Sequence, residues 1–376
     1  MSGRSRLGFG VAAALALSFV GPATPVLGQA AAGTKWVVPR TPNGRPDLQG
    51  NWTNETQTPL ERMGPQGATL TDEQAAAIEQ RAQLVEEFRD QPSDPNRPAP
   101  PKGGEAGRLA APGQRSFIEV ISEAAGGAVG GYNGFWLEPG MNVIRIDGVA
   151  RSSIIIDPPN GRIPPPTDAG KKRLAEIAAR AKQFGEFDHP EARPLADRCL
   201  VSFGSNAGPP MLPNYFYNNN YTIVQTKDHV MILSEMNHDA RIIRIGSASH
   251  LPSAIRPWFG DSIGRWEGDT LVVETTNIHP AQLDQTSILW AYRGASTNLK
   301  VTERFTRTGP DTILYRFTMD DPTTFTAPFT GELPFNRLAE PIYEYACHEG
   351  NYAMSNILGG ERAKERRAAE QKQQQQ

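Results

Sequence analysis

Cysteine is scarce: the 376-residue chain has two, Cys199 and Cys347, so a zinc site of several cysteines is excluded. The stretch "CHEG" at Cys347 lacks the first cysteine of a haem-attachment motif. A surplus of basic residues is missing too. With 38 Lys and Arg against 41 Asp and Glu, the net charge is -3, which offers no concentrated cationic surface and argues against nucleic acid as a partner. No apolar run is long enough for a comfortable membrane span. The Gly-x-Ser-x-Gly elbow, a phosphate-cradling glycine loop before a helix and His-Glu-x-x-His are all absent.

The chain begins with Arg4 and Arg6, an apolar run over residues 7–21, and small residues around Val26, Gly28 and Ala30. This order reads as a secretory signal peptide over residues 1–30, the competing reading being an N-terminal anchor. The two arginines are not adjacent, which weakens a twin-arginine route, and no cysteine follows to carry a lipid. An exported chain matures under oxidising conditions, so Cys199 and Cys347 are expected to form a disulfide rather than remain as free buried or reactive thiols. The expected location is periplasmic or secreted.

Residues 31–90 are read as a short strand near Asn51 followed by a helix that starts at the capping box of Thr71 and Gln74. Its apolar side would carry Ile78, Ala82, Val85 and Phe88. Residues 91–115 are rich in Pro and Gly, bury too little apolar area to order themselves, and are expected to be a mobile loop. A single β-rich domain is assigned to residues 116–358, joined by the 31–90 segment, with a polar tail at 359–376 that is expected to fray. Within the domain, a second helix starts at Thr167 and presents Leu174, Ile177, Ala181 and Phe184 on one side. "SSIIIDPPNGRIPP" reads as a strand, a turn and a return.

From Asn219 onward the period becomes two, with turns at Lys227-Asp228, Asn237-His238-Asp239, Glu267-Gly268-Asp269, Gly309-Pro310-Asp311 and Asp320-Asp321-Pro322. Sequential antiparallel pairing is the simplest topology, and many strands in sequence must hide their edges. The predicted fold is mainly β: an antiparallel meander forming a partly closed barrel with two peripheral helices and long loops. The triplet Gly50-Asn51-Trp52 is similar to the Gly-x-Trp signature of lipocalin-like barrels. The strings "PNGRPDLQGNW", "DRCL", "NNNYTIVQ", "HDARIIRI", "GDSIGRWEGDTLVVETTN" and "YEYACHEGNYAM" resemble, across residues 39–362, a large group of exported bacterial proteins of unknown activity. That resemblance implies one shared domain and carries over no reaction, cofactor or catalytic residue.

An ionisable group on the apolar face of a strand is the informative exception. In "LKVTERFTR" the face Leu299, Val301, Glu303, Phe305 is apolar except for Glu303, and Arg241 shares a face with Ile243 and Ile245. Glu303 either has a raised pKa, as a general acid or base needs, or forms a structural pair with Arg241. A second cluster holds Glu235, His238, Asp239 and His250, suited to proton shuttling or, less readily, to a divalent metal on His238, His250 and Glu235. Asn237 and Asp239 also serve as ordinary turn formers. A third holds Tyr343, Glu344, Tyr345, His348, Glu349 and Asn351 beside Cys347. Trp258, Trp266 and Trp290 would line an apolar or sugar-binding pocket, or else sit in the core. Asp261, Arg265, Glu267 and Asp269 read as hairpin and surface ion-pair residues.

These residues point first to acid-base chemistry on a small organic molecule, of lyase, isomerase or hydrolase type. Glu303, His238 and His348 would be the proton carriers, Arg241 the electrostatic partner, and Trp258, Trp266, Tyr345 and Glu235 the ligand contacts. The alternatives are a non-catalytic carrier for a small hydrophobic or sugar-like ligand, and a surface interaction module using the Pro-rich loop. No cofactor is expected.

Overall fold

In the computed structural model, residues 36–89, 138–246, 249–286 and 291–375 are described. The expected signal peptide over residues 1–30, the expected 91–115 loop, the first part of the expected 116–358 domain and Trp290 lie outside them. Residues from Val38 onward form one unit. In chain order the strands are β1 (Gly50–Thr53), β2 (Arg145–Ile146), β3 (Val149–Ala150), β4 (Ile155–Asp157), β5 (Asn220–Gln225), β6 (His229–Ser234), β7 (Ala240–Ile245), β8 (Asp261–Glu267), β9 (Thr270–Thr276), β10 (Lys300–Gly309), β11 (Thr312–Asp320) and β12 (Phe329–Arg337). The helices are α1 (Asp72–Arg89), α2 (Asp168–Ala181), α3 (Pro280–Leu283) and α4 (Ala353–Gln374).

Neighbours run β1-β5-β6-β7-β8-β9-β10-β11-β12, and β1 also pairs with β12, so nine strands close a barrel; β4 adds to β12 outside the ring. Closure removes the free edges that a meander would leave. The alternation found after residue 219 fixes what faces inward: Ile313, Tyr315, Phe317 and Met319 on β11 are buried, as are Val301, Glu303 and Phe305 on β10. All five predicted turns join the strands they separate.

The seam at β1 explains the Gly-x-Trp triplet. Trp52 is fully buried, its indole N–H donates to the Leu48 carbonyl, and its ring lies between two guanidiniums, Arg337 at 4.6 Å and Arg307 at 5.6 Å. Gly50 makes the room: a Cβ there would stand 2.6 Å from Arg337 Nη1, and its φ of +128° is one that side chains avoid.

Several expectations are corrected. The β7–β8 pair is parallel, with Ile243 opposite Ser262, so the meander breaks once. The segment between them contains Gly246, Pro252, Pro257 and Gly260 in place of alternation, so it adds no strand and carries the chain back to the end where β7 began. The "SSIIIDPPNGRIPP" return is not a strand, because Pro158, Pro159 and Pro164 to Pro166 lack the donors a ladder needs; β4 pairs with β12 instead. The 359–376 tail continues α4 to Gln374 with no buried side chain, since its Ala, Glu, Lys, Arg and Gln are all good helix formers. Four helices are therefore described where two were expected. The two expected ones are there: α1 has its reciprocal Thr71 and Gln74 capping bonds, and Thr167 caps α2. On α2, Leu174 and Ile177 pack toward Gly294, whereas Phe184 lies beyond the helix end at Ala181 and is exposed.

Candidate functional site

Glu303 does point inward and does meet Arg241. The guanidinium donates to both carboxylate oxygens, at 2.5 and 2.9 Å, and neither side chain is more than 4% exposed. Tyr315 donates its hydroxyl to Glu303 at 2.8 Å. Burial is the largest single influence on Arg241 and acts to deprotonate it, but the charge and hydrogen bonds of Glu303, together with Tyr315 and Tyr292, outweigh it and hold the guanidinium above its ordinary pKa. This is the paired arrangement with Arg241 that the sequence offered as the alternative to a free inward carboxyl. The carboxylate has both oxygens engaged and no solvent contact.

The enclosed space around the pair holds the protein's own chain. Residues 201–219 contain no helix or strand, yet all except Phe203 and Asn218 are buried. The barrel reads their backbone with side chains: the Met211 amide donates to Tyr315, Tyr292 donates to the Pro209 carbonyl, Tyr221 to that of Asn206, and Asn54 to that of Met211. Met211 and Leu212 join the barrel core. The segment is a plug, and these side chains give its backbone hydrogen-bond partners in place of a ladder.

Beside the plug, at the head of the barrel where β5 begins and β6 ends, three buried polar atoms have no partner: Asn54 Oδ1, Ser234 Oγ and Arg241 Nε. They come from three different parts of the wall. Ser234 lies opposite Tyr221 and on the same inward face as Ile232, which lies opposite Arg241. Asn54 donates to the Tyr221 hydroxyl at 3.2 Å, and Tyr221 is close enough to Arg241 to feel its charge. A cationic N–H donor, a hydroxyl and an amide acceptor thus border one region around Tyr221. Ser234 and Asn54 were missed at the level of sequence. For Ser234 the signal was present, since it is a polar residue on the Val230, Ile232 face.

Outside this head, the β6–β7 turn holds the second predicted cluster. Glu235 is buried, accepting from Asn220 Nδ2 at 2.8 Å and from the Tyr343 amide at 3.1 Å. His238 is exposed, its Nδ1 3.1 Å from the Tyr345 carbonyl oxygen. Asn237 and His238 both have left-handed backbone, with φ of 61° and 46°, a strained pairing for residues other than glycine. Burial lifts the Asp239 carboxyl to about 7 against the opposing pull of His238, and its Oδ2 has no partner. Nearby, Glu55 is also lifted to about 7, by burial first and then by the Glu138 charge; Glu138 is raised by burial and by Glu235.

The third cluster is a strap. After β12, residues 338–347 cross this end of the molecule: Glu340 accepts from Asn51, Tyr343 donates to Glu235, and Tyr345 stacks on Tyr217 with ring centroids 6.4 Å apart. Cys347 then bonds to Cys199, the expected disulfide. His348 is exposed. Glu303, sealed in the barrel, and His238 and His348, both at the surface, are therefore not brought together, because sequence proximity to acidic residues does not set the side of the wall on which a side chain falls.

His250 sits apart from Glu235 and His238, bonded to Asp261 at 2.9 Å through Nδ1 and facing Glu274 at 3.4 Å through Nε2. Burial acts to raise Asp261, but the Leu251 amide, His250 and Arg244 outweigh it and keep the carboxyl low. Among the described residues, no group of three or more His, Cys, Asp or Glu could hold a metal. Trp258 lies against His279, centroids 4.1 Å apart, and both Trp258 and Trp266 pack on the core, the alternative the sequence offered; Trp290 is not among the described residues. Arg265 and Glu267 form the expected surface pair, joined by Arg304.

No family model matches the chain, and no curated protein matches it. Among solved structures, a crystal structure of a mutant of the fluorescent protein UnaG is similar over 32% of this chain and 72% of its own, at 16% identity and a TM-score of 0.20. No helix among the described residues is long and apolar enough to cross a membrane.

Proposed function

We propose that this protein binds a small, uncharged, hydroxylated or amide-bearing organic molecule inside the head of the barrel and does not turn it over. The observation that carries this reading is the set of three orphaned atoms, Asn54 Oδ1, Ser234 Oγ and Arg241 Nε, bordering one buried region. Buried polar groups are nearly always paired, so three orphans from separate parts of the wall imply a missing partner. Because Glu303 already neutralises Arg241, the partner that fits carries no net charge. It accepts from the arginine and donates to the Asn54 oxygen, as an alcohol, an amide or a water does. The disulfide and the N-terminal sequence support action in an extracytoplasmic, oxidising compartment.

Native mass spectrometry of gently purified protein tests this, together with thermal shifts against a panel of small polyols and amides. A bound organic mass, lost in a Ser234→Ala variant that keeps its circular dichroism spectrum, supports the reading. High-resolution density showing only water at these atoms, with no thermal shift from any compound, removes it.

A second reading, acid-base turnover at the rim, is favoured by the two carboxyls near neutrality, Asp239 and Glu55. It would require a pH-rate profile whose acid or base limb is abolished by Asp239→Asn.

A further inference from the structure

The plug lies against the proposed binding region, with Met211 and Leu212 in the barrel core and Tyr215, Phe216 and Tyr217 in a separate cluster around Met236, so access to that region depends on what holds the plug in place. Residues 201–219, buried except at Phe203 and Asn218, form no strand ladder; the main chain of the surrounding residues reaches them through the Asn54 amide, which donates to Asn219, and the Glu138 amide, which donates to Phe216. A segment with so few main-chain bonds to its surroundings opens locally more easily than the strands around it. Its two ends are treated differently. The far end runs directly into β5, whereas the near end starts at Cys199, which is tied to Cys347 at the end of the strap.

The strap touches the plug at a second point, through Tyr345 against Tyr217, and the β6–β7 turn through Glu235 and His238. Asn351 Nδ2 also lies 3.2 Å from Cys199 Sγ. Otherwise the strap is at the surface, with Glu344 and Ala346 exposed, and both cysteines are only half-buried, which places the bridge near solvent. Cys199 has φ of +54°, a left-handed backbone that only glycine adopts without cost. Freed of the bridge, Cys199 loses one of the restraints that keep it there.

We propose that the Cys199–Cys347 disulfide is a redox latch: it clamps the strap to the base of the plug, and its reduction lets residues 199–219 withdraw from the barrel and open the interior. A dithiol supplies the reducing equivalents. One of its thiolates attacks a latch sulfur and expels the other as a thiolate, and its second thiol resolves the mixed disulfide. Two electrons and two protons pass to Cys199 and Cys347, and the dithiol leaves as its own disulfide. What the latch regulates rests on the interior binding reading; the latch itself does not.

Hydrogen exchange read by mass spectrometry, on the full chain oxidised, reduced with dithiothreitol, and as Cys347→Ser, tests it without any ligand. Peptides covering residues 201–219 are expected to exchange at least ten-fold faster when the bridge is absent, with β9 to β11 unchanged. Equal plug rates in all three forms overturn the latch, as does an equal acceleration of β9 to β11, which would mean general loosening. A faster plug with no ligand by native mass spectrometry upholds the latch and rejects only the ligand reading.

Discussion

Arg241 and Glu303 face each other across the barrel as a two-pronged pair, with nitrogen to oxygen distances of 2.5 and 2.9 Å, and Tyr315 completes the carboxylate's shell. The pair is close to the middle of the core, so its worth depends on whether both partners are kept. Removing one leaves a buried charge with nothing to balance it, a loss of roughly 3–5 kcal/mol; removing both in favour of apolar residues of similar size is often neutral or stabilising.

Glu303→Gln is therefore expected to lower the unfolding free energy by about 3 kcal/mol or more, while Arg241→Met combined with Glu303→Leu recovers most of that loss. Urea denaturation of the two variants decides it. If the single change costs under about 1 kcal/mol, water already reaches the pair and the barrel is less closed than described.

Two carboxyls make stability depend on pH in the opposite sense to an ordinary salt bridge. Glu55 and Asp239 both have folded pKa values raised to about 7. A raised folded value means the folded state holds the proton more tightly, so their contribution is complete below the ordinary carboxylate range and is lost as pH climbs through 7. Unfolding free energy is expected to fall between pH 5 and 8 by on the order of 2 kcal/mol per group, discounted for partial exposure. Glu55→Gln should flatten its share of the slope. A stability curve that rises over this interval contradicts the assignment.

How much of this was readable before any coordinates differs by element. The strands after residue 219 were, because alternation is a local property, and so was the inward Glu303, an exception to that alternation. The plug was not. Its glycines, prolines and asparagines have the composition of a surface loop, and its burial depends on Tyr221, just beyond its end, and on Tyr292, Tyr315 and Asn54, distant in sequence, which supply its backbone with partners. The parallel β7–β8 pair was hidden for a related reason: where the chain returns after Ile245 depends on tertiary anchors such as Asp261, which binds Arg244, His250 and the Leu251 amide. Histidines close in sequence to acids looked like a site, but His238 is exposed in the β6–β7 turn whereas Glu303 is fully buried.

The Trp52 sandwich gives a sharp test of the Gly-x-Trp reading. Gly50→Ala places a methyl 2.6 Å from Arg337 Nη1 at a φ of +128°, so the guanidinium must leave the indole face and the backbone is strained. The expected loss is roughly 1–3 kcal/mol, the sum of a strained residue and a weakened cation-π contact. An unchanged denaturation midpoint would show that Arg337 moves aside freely and that the triplet has no such role.

Asp321 offers a last prediction, at a point where loops rather than strands hold the barrel's head together. Its buried carboxylate accepts from the Ser296 amide at 2.6 Å, the Ser296 hydroxyl at 2.9 Å, and the amides of Thr323 and Thr324 at 3.1 and 3.2 Å. It thereby ties the segment leading into β10 to the turn leaving β11. In Asp321→Asn, one acceptor oxygen becomes a donor amide facing N–H groups that need an acceptor, which costs on the order of 1–3 kcal/mol. The loss should be local: exchange protection is expected to drop at residues 295–298 and 322–326 and to persist in β9 and β10. Protection lost evenly throughout the barrel would mean that Asp321 supports the whole fold rather than joining two of its loops.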